Sequence, residues 1–342
     1  KFLYFFDISD IAREVERKYY VAGKEHLRYP VDSMLKFCIV KQFRKLSFEK
    51  VVASLTQEDA WLLGFKQDAK TGFYMVPSAS TLHHFIKYRL KEEGITEVML
   101  LVGKEMVQSA TSKHAKTDST PLEASRYDKY ADYNPHYGCK MYKAHITLVG
   151  SSPIYMNFTR GNAGDSPELL EHIQVLKSVG AKIDEYLLDS GYDSYVNHAD
   201  IWYHLGATPK IYNRENAIIN NEGTVERIDH WVNKKWKEGG NIHMPLMDKL
   251  RFLYEHGKAE QVGAYFRNQN LLDDNFGKSY KERSECERIN DYIKDTVKFN
   301  VKGIPNDSKE LYSKLSFVTY QMMILNNIQN GIEPVNSFAR YF

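Results

Sequence analysis

The sequence contains few cysteines and few long apolar runs, and its positive and negative charges are nearly equal in number. The only cysteines, Cys38, Cys139 and Cys286, are widely separated. They form no Cys-x-x-Cys pair and no Cys/His spacing typical of zinc, and an odd number of thiols favours a reducing compartment. The opening run KFLYFF is too short to span a membrane and lacks a cleavage pattern. We therefore expect a cytoplasmic protein without a membrane partner.

The near balance of charge removes one simple indication of function. The chain of 342 residues carries 46 Lys and Arg against 44 Asp and Glu, a formal net charge of +2. Global charge therefore does not indicate a nucleic-acid partner, and any positive surface must be local. The length suffices for a substantial core and for two or three structural units.

Helical periodicity dominates the first part of the chain. Apolar residues recur every three or four positions through residues 1–110, which is typical of amphipathic helices. Pro30, Gly64, Pro77 and Gly94 separate the segments. The predicted helices cover 8–20, 31–45, 47–56, 58–65, 79–92 and 95–109.

The helix predicted within VPSASTLHHFIKYRL (76–90) carries basic groups beside its apolar face. His83, His84 and Lys87 are available for contacts outside the core. A helix of this kind is a candidate to dock on DNA. A surface helix with ordinary charges accounts for the same residues equally well.

From residue 113 the pattern changes to segments rich in strand-forming residues. The first, KHAKTDST (113–120), ends in a polar turn at Pro121. Together with this first strand, the segments predict three consecutive strands, a helix, a strand, a helix and a strand, in that order. This order predicts an α/β fold with an RNase H-like mixed sheet flanked by helices. The later strands are predicted at 139–150, 152–161, in the apolar run before Asp189 and at 208–213, with the first helix at 166–180.

Polar, glycine-containing sequence at 214–276 interrupts this order, and we interpret it as an insertion. The run DHWVNKKWKEGG places Trp231 and Trp236 among lysines. Aromatic rings interleaved with cations suit unpaired or flipped DNA bases. A small hydrophobic core within the insertion is the alternative.

The most informative run is YKERSECERINDYIK, which contains no Pro or Gly and predicts a helix. At about 100° per residue, Tyr280, Arg283, Glu287 and Lys294 fall within roughly 60° of one another, whereas Glu285 points away. One stripe of the helix therefore carries a phenol, a guanidinium, a carboxylate and an ammonium group. An ordinary solvated helix face is the alternative, because Arg283 and Glu287 form a common i,i+4 pair.

Two aspartates lie at the ends of predicted strands upstream of this helix. Asp118 lies in TDST at the end of the first strand, and Asp189 lies in LLDSGYDS at the end of the fourth. In an RNase H-like order those strands are parallel neighbours, so both carboxylates would emerge at one edge, where Glu287 can complete the set. Converging carboxylates are what two-metal phosphodiester cleavage requires. Either aspartate alone fits a turn, but the conjunction of both with the stripe predicts a catalytic site.

These motifs together resemble DDE transposases of bacterial and archaeal insertion sequences, in the group founded on insertion sequences four and five. The resemblance rests on the spacing Tyr-x2-Arg-x3-Glu-x6-Lys, on TDST and on Asp-x-Gly-Tyr at Asp189. The strand GCKMYKAH (138–145) is similar to the Gly-x-Lys-x2-Lys-x-His strand of that family.

The resemblance implies roles for particular residues. The three carboxylates that would bind two Mg²⁺ or Mn²⁺ ions and carry catalysis are Asp118, Asp189 and Glu287. The residues expected near the DNA backbone are Tyr280, Arg283 and Lys294, with Lys140 and Lys143 as further candidates that fit a plain surface as well. The helix with His83, His84 and Lys87 would serve recognition of DNA ends, and Trp231 or Trp236 would contact bases.

The function implied is cleavage of double-stranded DNA at transposon ends, followed by transfer of the 3′-OH into target DNA, by a nucleoid-associated homodimer. The alternatives are an RNase H-like nuclease that cannot join ends and a catalytically inert DNA-binding protein. The expected division is a helical DNA-binding and dimerisation region at 1–110, a catalytic core at 111–213 and 277–342, and the insertion at 214–276.

Overall fold

A mixed β-sheet organises the computed structural model, which describes residues 6–19, 28–235 and 244–338. Strand β3 pairs antiparallel with β1 on one side and with β2 and β4 on the other, and β1, β5 and β6 run parallel. The strands are β1 (His114–Glu123), β2 (Asp132–Asn134), β3 (Cys139–Val149), β4 (Ser152–Arg160), β5 (Glu185–Leu188) and β6 (Thr208–Ile211). The predicted RNase H-like order is confirmed.

Strand β1 is longer than its sequence indicates. The sequence predicts an end before Pro121, but the strand continues to Glu123, with Pro121 paired to Lys143 of β3. The prediction of a turn was wrong because β5 pairs with β1 only as far as Lys116. Beyond that point β1 has β3 as its neighbour on one side alone, and an edge strand tolerates a proline. Asp118 therefore lies within β1, beyond the end of its parallel pairing.

Helices fill the chain ahead of the sheet, as the periodicity predicts. They are α1 (Ser9–Tyr19), α2 (Val31–Phe43), α3 (Phe48–Ala53), α4 (Gln57–Leu62), α5 (Ala79–His84, continued by a π-helical turn at Phe85–Leu90) and α6 (Lys91–Ser109). The predicted break at Gly94 was wrong, because Gly94 lies inside α6, with the Leu90 side chain 3.2 Å from where a Cβ would be. The chain instead turns at Lys91, which adopts a positive φ of 55°.

Helices also cover the sheet and join it to the N-terminal region. The elements are α7 (Leu169–Ser178), α8 (Tyr195–Leu205), α12 (Phe276–Tyr280), a 3-10 turn (Lys281–Arg283), α13 (Ser284–Thr296) and α14 (Lys309–Gln329). Helix α14 contacts α2, α6 and β4, and nearly all of its residues are buried. One hydrophobic core therefore runs from the N-terminal helices through α14 to the sheet. Within the described residues, no helix is both long and apolar enough to cross a membrane.

Three helices of the described residues lie between β6 and α12. They are α9 (Val225–Lys235), α10 (Leu246–Glu255) and α11 (Ala259–Leu272), and together with Ala199 of α8 they form a second apolar cluster that includes Ile228, Leu253 and Phe266. Helix α11 packs directly on α8. A Cβ placed on Gly263 would lie 1.7 Å from the carbonyl oxygen of Tyr195, so the two helix backbones meet at that glycine.

We predict that Gly263→Ala destabilises the protein by more than about 2 kcal/mol, because a methyl group there forces the α8 and α11 backbones apart. Urea unfolding would measure the change. Gly277→Ala is the matched control, since no atom lies within 4 Å of the point where its Cβ would stand; it should be neutral or slightly stabilising. Equal stability of the two variants would contradict this packing.

Candidate active site

Asp118 and Asp189 lie side by side where β1 and β5 separate. The parallel register pairs Lys116 with Leu187, and each aspartate follows two residues later. The Asp118 side chain is almost fully buried, with 8% of the residue exposed. The Asp189 carboxylate accepts a hydrogen bond from the Gly191 N–H (2.9 Å), which fixes the turn after β5. The expectation that these two strands are parallel neighbours is confirmed.

The helical segment that follows α11 presents its two candidate glutamates in different directions. It begins at Phe276, earlier than predicted, and includes Gly277. Glu285 points to the sheet, where it accepts hydrogen bonds from Lys116 Nζ (2.6 Å) and from the Ser151 hydroxyl. Glu287 points into a cleft, and its side chain is 63% exposed. The helix phase inferred from the sequence is confirmed.

One guanidinium group joins all three predicted ligands. Arg283 Nη2 lies 3.2 Å from Asp118 Oδ1 and 3.2 Å from Asp189 Oδ2, and Nη1 lies 3.1 Å from Glu287 Oε1. The Arg283 side chain is itself mostly buried. Four side chains from β1, from the end of β5 and from the α13 region thus meet at one point.

Charge at this point is poorly balanced by the protein alone. Burial raises the pKa of Asp118 from 3.8 to about 7; Arg283 opposes that shift, and Asp189 and Glu287 add to it. Burial lowers the pKa of Arg283, but the neighbouring carboxylates outweigh it and raise that pKa overall. Bringing three carboxylates together around one cation therefore leaves an excess of negative charge.

The surrounding cleft has a volume of about 660 Å³. Sequence reasoning missed several of its polar residues, namely Asn134, His136, Tyr137, Asp165, Asn290 and Asp291. Asp165 binds Lys143 Nζ (2.9 Å) and accepts from the Ser119 hydroxyl (3.2 Å). The available signal was its position just before Ser166-Pro167, which indicated only the start of a helix.

The structure brings some predicted DNA contacts to this cleft. Lys143 and Lys294 line it together with Arg283. Tyr280 is not among the described residues that line the cleft: its ring stacks on Phe276 and packs against Tyr212. Burial raises the pKa of Tyr280 to about 12.

Other predicted contacts are engaged elsewhere. Lys140 Nζ donates to the carbonyl oxygen of Asp128 (2.6 Å), and Lys140 is not among the described residues that line the cleft. Trp231 packs against the core of the α9–α11 unit, donates from Nε1 to Glu222 (2.6 Å) and has Lys258 Nζ 4.0 Å from its ring centroid. The position of Trp231 therefore fits the alternative interpretation, a small hydrophobic core, better than contact with DNA bases. Trp236 lies outside the described residues.

The basic residues of the α5 region lie at a separate pocket. His83 and Lys87 line a cavity of about 260 Å³ between the N-terminal helices and residues 298–312. The His83 ring packs edge-on against Phe48, and Lys87 forms an ion pair with Asp307 (3.0 Å). His84 packs against Tyr88. None of the three is among the described residues that line the cleft at Asp118.

The donor chemistry of the cleft fits a hard divalent cation. Across 6–19, 28–235 and 244–338, no group of three His, Cys, Asp or Glu residues has the geometry of a formed metal site. The carboxylates of Asp118, Asp189 and Glu287 are instead grouped around the Arg283 guanidinium. Carboxylate oxygens are the ligands that Mg²⁺ prefers, and the surplus negative charge favours a cation.

Comparison with known proteins identifies one family. The family model described as Transposase DDE domain matches residues 112–303, more than half of the chain. No curated protein matches. The piggyBac transposase synaptic complex with hairpin DNA is similar at 11% identity and a TM-score of 0.31, covering 99% of this chain and 82% of that one. The Mos1 transposase paired-end complex is similar at 10% identity and a TM-score of 0.22, covering 77% and 81%. Of these comparisons, only the match to the family model indicates to which family the chain belongs.

We predict that Glu285 and Glu287 differ in their effect on stability. Glu285→Gln leaves the buried Lys116 ammonium without its main carboxylate and should cost about 3 kcal/mol. Glu287→Gln should change stability by less than about 1 kcal/mol, because the side chain is largely exposed. Urea unfolding measures both, and the double variant Lys116→Met/Glu285→Leu should recover most of the loss. A greater loss in Glu287→Gln would contradict the helix orientation.

The raised pKa of Asp118 predicts a pH-dependent stability. Since the folded pKa of about 7 lies above the unfolded value of 3.8, the stability that this carboxyl group contributes is fully present below about pH 4 and is lost as pH rises from there through 7. In a chelator, the Tm of the wild type should fall more between pH 5 and pH 8 than that of Asp118→Asn. The exposed-site variant Asp295→Asn serves as control and should keep the wild-type slope. Parallel slopes for all three proteins would refute the assignment.

Proposed function

Because this chain belongs to the family of transposase DDE domains, we propose that it cuts DNA at transposon ends and transfers the freed 3′-OH into target DNA. The observation that carries the proposal is the convergence of Asp118, Asp189 and Glu287 on one open cleft. A strand, a strand end and a helix, distant in sequence, supply these groups. A fold rarely gathers three carboxylates in this way without a cation or a catalytic role to compensate for their repulsion.

The residues that would hold two Mg²⁺ or Mn²⁺ ions are Asp118, Asp189 and Glu287. Bound there, such ions supply Lewis acidity and lower the pKa of bound water, which suits attack on a phosphodiester. In this proposal the carboxylates act as ligands and not as nucleophiles. Asp118 would give up its proton on binding a cation, because the positive charge replaces that proton as the partner of the buried oxygen.

Cations of the cleft would bind the DNA phosphates. Arg283 now contacts the carboxylates through both of its Nη atoms. With divalent ions held by those carboxylates, the Arg283 guanidinium would be free to pair with a phosphate in bidentate fashion. Lys143 and Lys294 line the same space, and they would add contacts that carry no sequence information.

The remaining parts of the proposal concern assembly. Processing two transposon ends calls for a homodimer, and a cytoplasmic, nucleoid-associated location follows from a DNA substrate. We propose that residues 1–110 recognise ends and contribute to dimer contacts, that 111–213 and 277–342 form the catalytic core, and that 214–276 is an insertion. The core shared by the N-terminal helices and the sheet would couple end recognition to the catalytic cleft.

Two alternatives remain distinct in their reactions. An RNase H-like nuclease would cut DNA and fail to join the ends, and an inert DNA-binding protein would do neither. A strand-transfer assay with Mg²⁺ or Mn²⁺ separates them by its products: joined DNA, cut DNA or bound DNA only. The DNA flanking the gene supplies the substrate, since inverted repeats there would define the ends.

We predict that Asp118→Asn, Asp189→Asn and Glu287→Gln each lower the cleavage rate by more than about 100-fold, because each removes a metal-binding carboxylate. Binding of end DNA in a chelator should remain within about threefold of wild type, since phosphate contacts come from other groups. Gel-based cleavage assays and fluorescence anisotropy measure the two quantities.

The matched control for these variants is Asp295→Asn, an exposed acid on the same helix as Glu287. It should cut at the wild-type rate. Full cleavage activity in Glu287→Gln would remove that residue from the ligand set, and full activity in both aspartate variants would overturn the proposed catalysis.

A further inference from the structure

An unusual concentration of exposed aromatic rings lies beside the catalytic cleft. The segment 126–137, here called the tyrosine segment, contains β2 and four tyrosines that face solvent. Their exposed fractions are 75% for Tyr127, 59% for Tyr130, 56% for Tyr133 and 47% for Tyr137. The segment is continuous with the cleft, because Tyr137 and His136 line it together with Asp118.

The backbone of this segment is held firmly in place. The buried Asp128 carboxylate binds Lys309 Nζ and accepts hydrogen bonds from the backbone N–H groups of Tyr130 (2.9 Å) and Ala131 (3.3 Å). At the other end, the Asn134 side chain donates to the carbonyl oxygen of Gly161 (2.9 Å). The rings between these anchors are therefore exposed on a rigid support, which lowers the entropic cost of binding a ligand.

Two exposed cations lie among the rings. Arg126 and Lys129 are exposed, and the Arg126 guanidinium carbon lies 4.6 Å from the centroid of the Tyr127 ring. Of the two acidic groups of the segment, Asp128 is buried and paired with Lys309, and Asp132 is half-buried, whereas both cations are exposed. Aromatic rings next to cations are the chemistry that binds single-stranded nucleic acid, by stacking on bases and neutralising phosphates.

We propose that the tyrosine segment binds the unpaired DNA strand that runs into or out of the catalytic cleft, with Tyr130 and Tyr133 stacking on its bases. The inference rests on the proposed function in one respect, namely that the cleft acts on DNA. A fully paired duplex exposes base faces only at its terminal pairs, whereas an overhang exposes the faces of several successive bases. The segment would therefore give the protein a preference for frayed or overhanging ends.

The test measures binding of two labelled DNA molecules in a chelator, a blunt duplex and the same duplex with an oligothymidine overhang. The wild type should bind the overhang more tightly than the blunt end. Tyr130→Ala and Tyr133→Ala should each weaken overhang binding by about tenfold and change blunt-end binding by less than about twofold. Tyr130→Phe and Tyr133→Phe should retain the preference, because stacking needs the ring and not the hydroxyl.

Tyr292→Ala, an exposed tyrosine on α13 outside the segment, is the matched control and should behave as wild type. Equal loss of both DNA molecules in the alanine variants would overturn the proposal, as would no loss of either. So would a change in oligomeric state at unchanged DNA affinity, which would assign the rings to contact between two copies of the chain.

The outcome is separable from that of the proposed catalysis. Alanine variants that cut DNA but keep the full overhang preference would overturn this inference alone. A wild type that prefers overhangs yet fails to cut with Mg²⁺ or Mn²⁺ would support this inference and count against the proposed function.

Discussion

The ion pair between Lys116 and Glu285 is the constraint on which the arrangement of the active site depends. Lys116 is 1% exposed on β1, and the carboxylate of Glu285 is its main partner. Burying an ammonium group without such a partner is costly, so the α13 region has one favoured rotation about its own axis. Residues two apart on a helix point about 200° from each other. Fixing Glu285 against the sheet therefore turns Glu287 to the cleft and aligns Arg283 with both aspartates.

The second organising effect is the mutual repulsion of the carboxylates around Arg283. Three carboxylates share one guanidinium, and burial holds the pKa of Asp118 near neutrality. A protein optimised only for stability would replace part of this cluster with apolar side chains. The cluster makes physical sense if cations from solution complete it, because they would relieve the repulsion and release the guanidinium. The repulsion that lowers the stability of the protein alone would then contribute to its affinity for a cation.

Local rules predicted the parts of this molecule that depend on local geometry. Helix periodicity alone separated Glu287 from Glu285, and the order of strands and helices predicted the topology that brings Asp118 and Asp189 together. The failures involve contacts between distant segments. Pro121 stays in a strand because β5 ends early, and Gly94 stays in a helix because Leu90 and Tyr19 fill the space beside it. Asp165 was missed for the same reason, as its partner Lys143 lies 22 residues away in the chain.

Helix α14 has a consequence for how this protein can evolve. Because it packs against α2, α6 and β4, the segments before and after residue 110 share one hydrophobic core. Loss of the first helices would expose apolar residues of α14 that are buried in the intact fold, and it would destabilise the sheet. The N-terminal region is thus an integral part of the fold and not a separable module. If this region recognises DNA ends as proposed, adaptation to new ends would require substitution of its surface side chains while the buried contacts behind them stay unchanged.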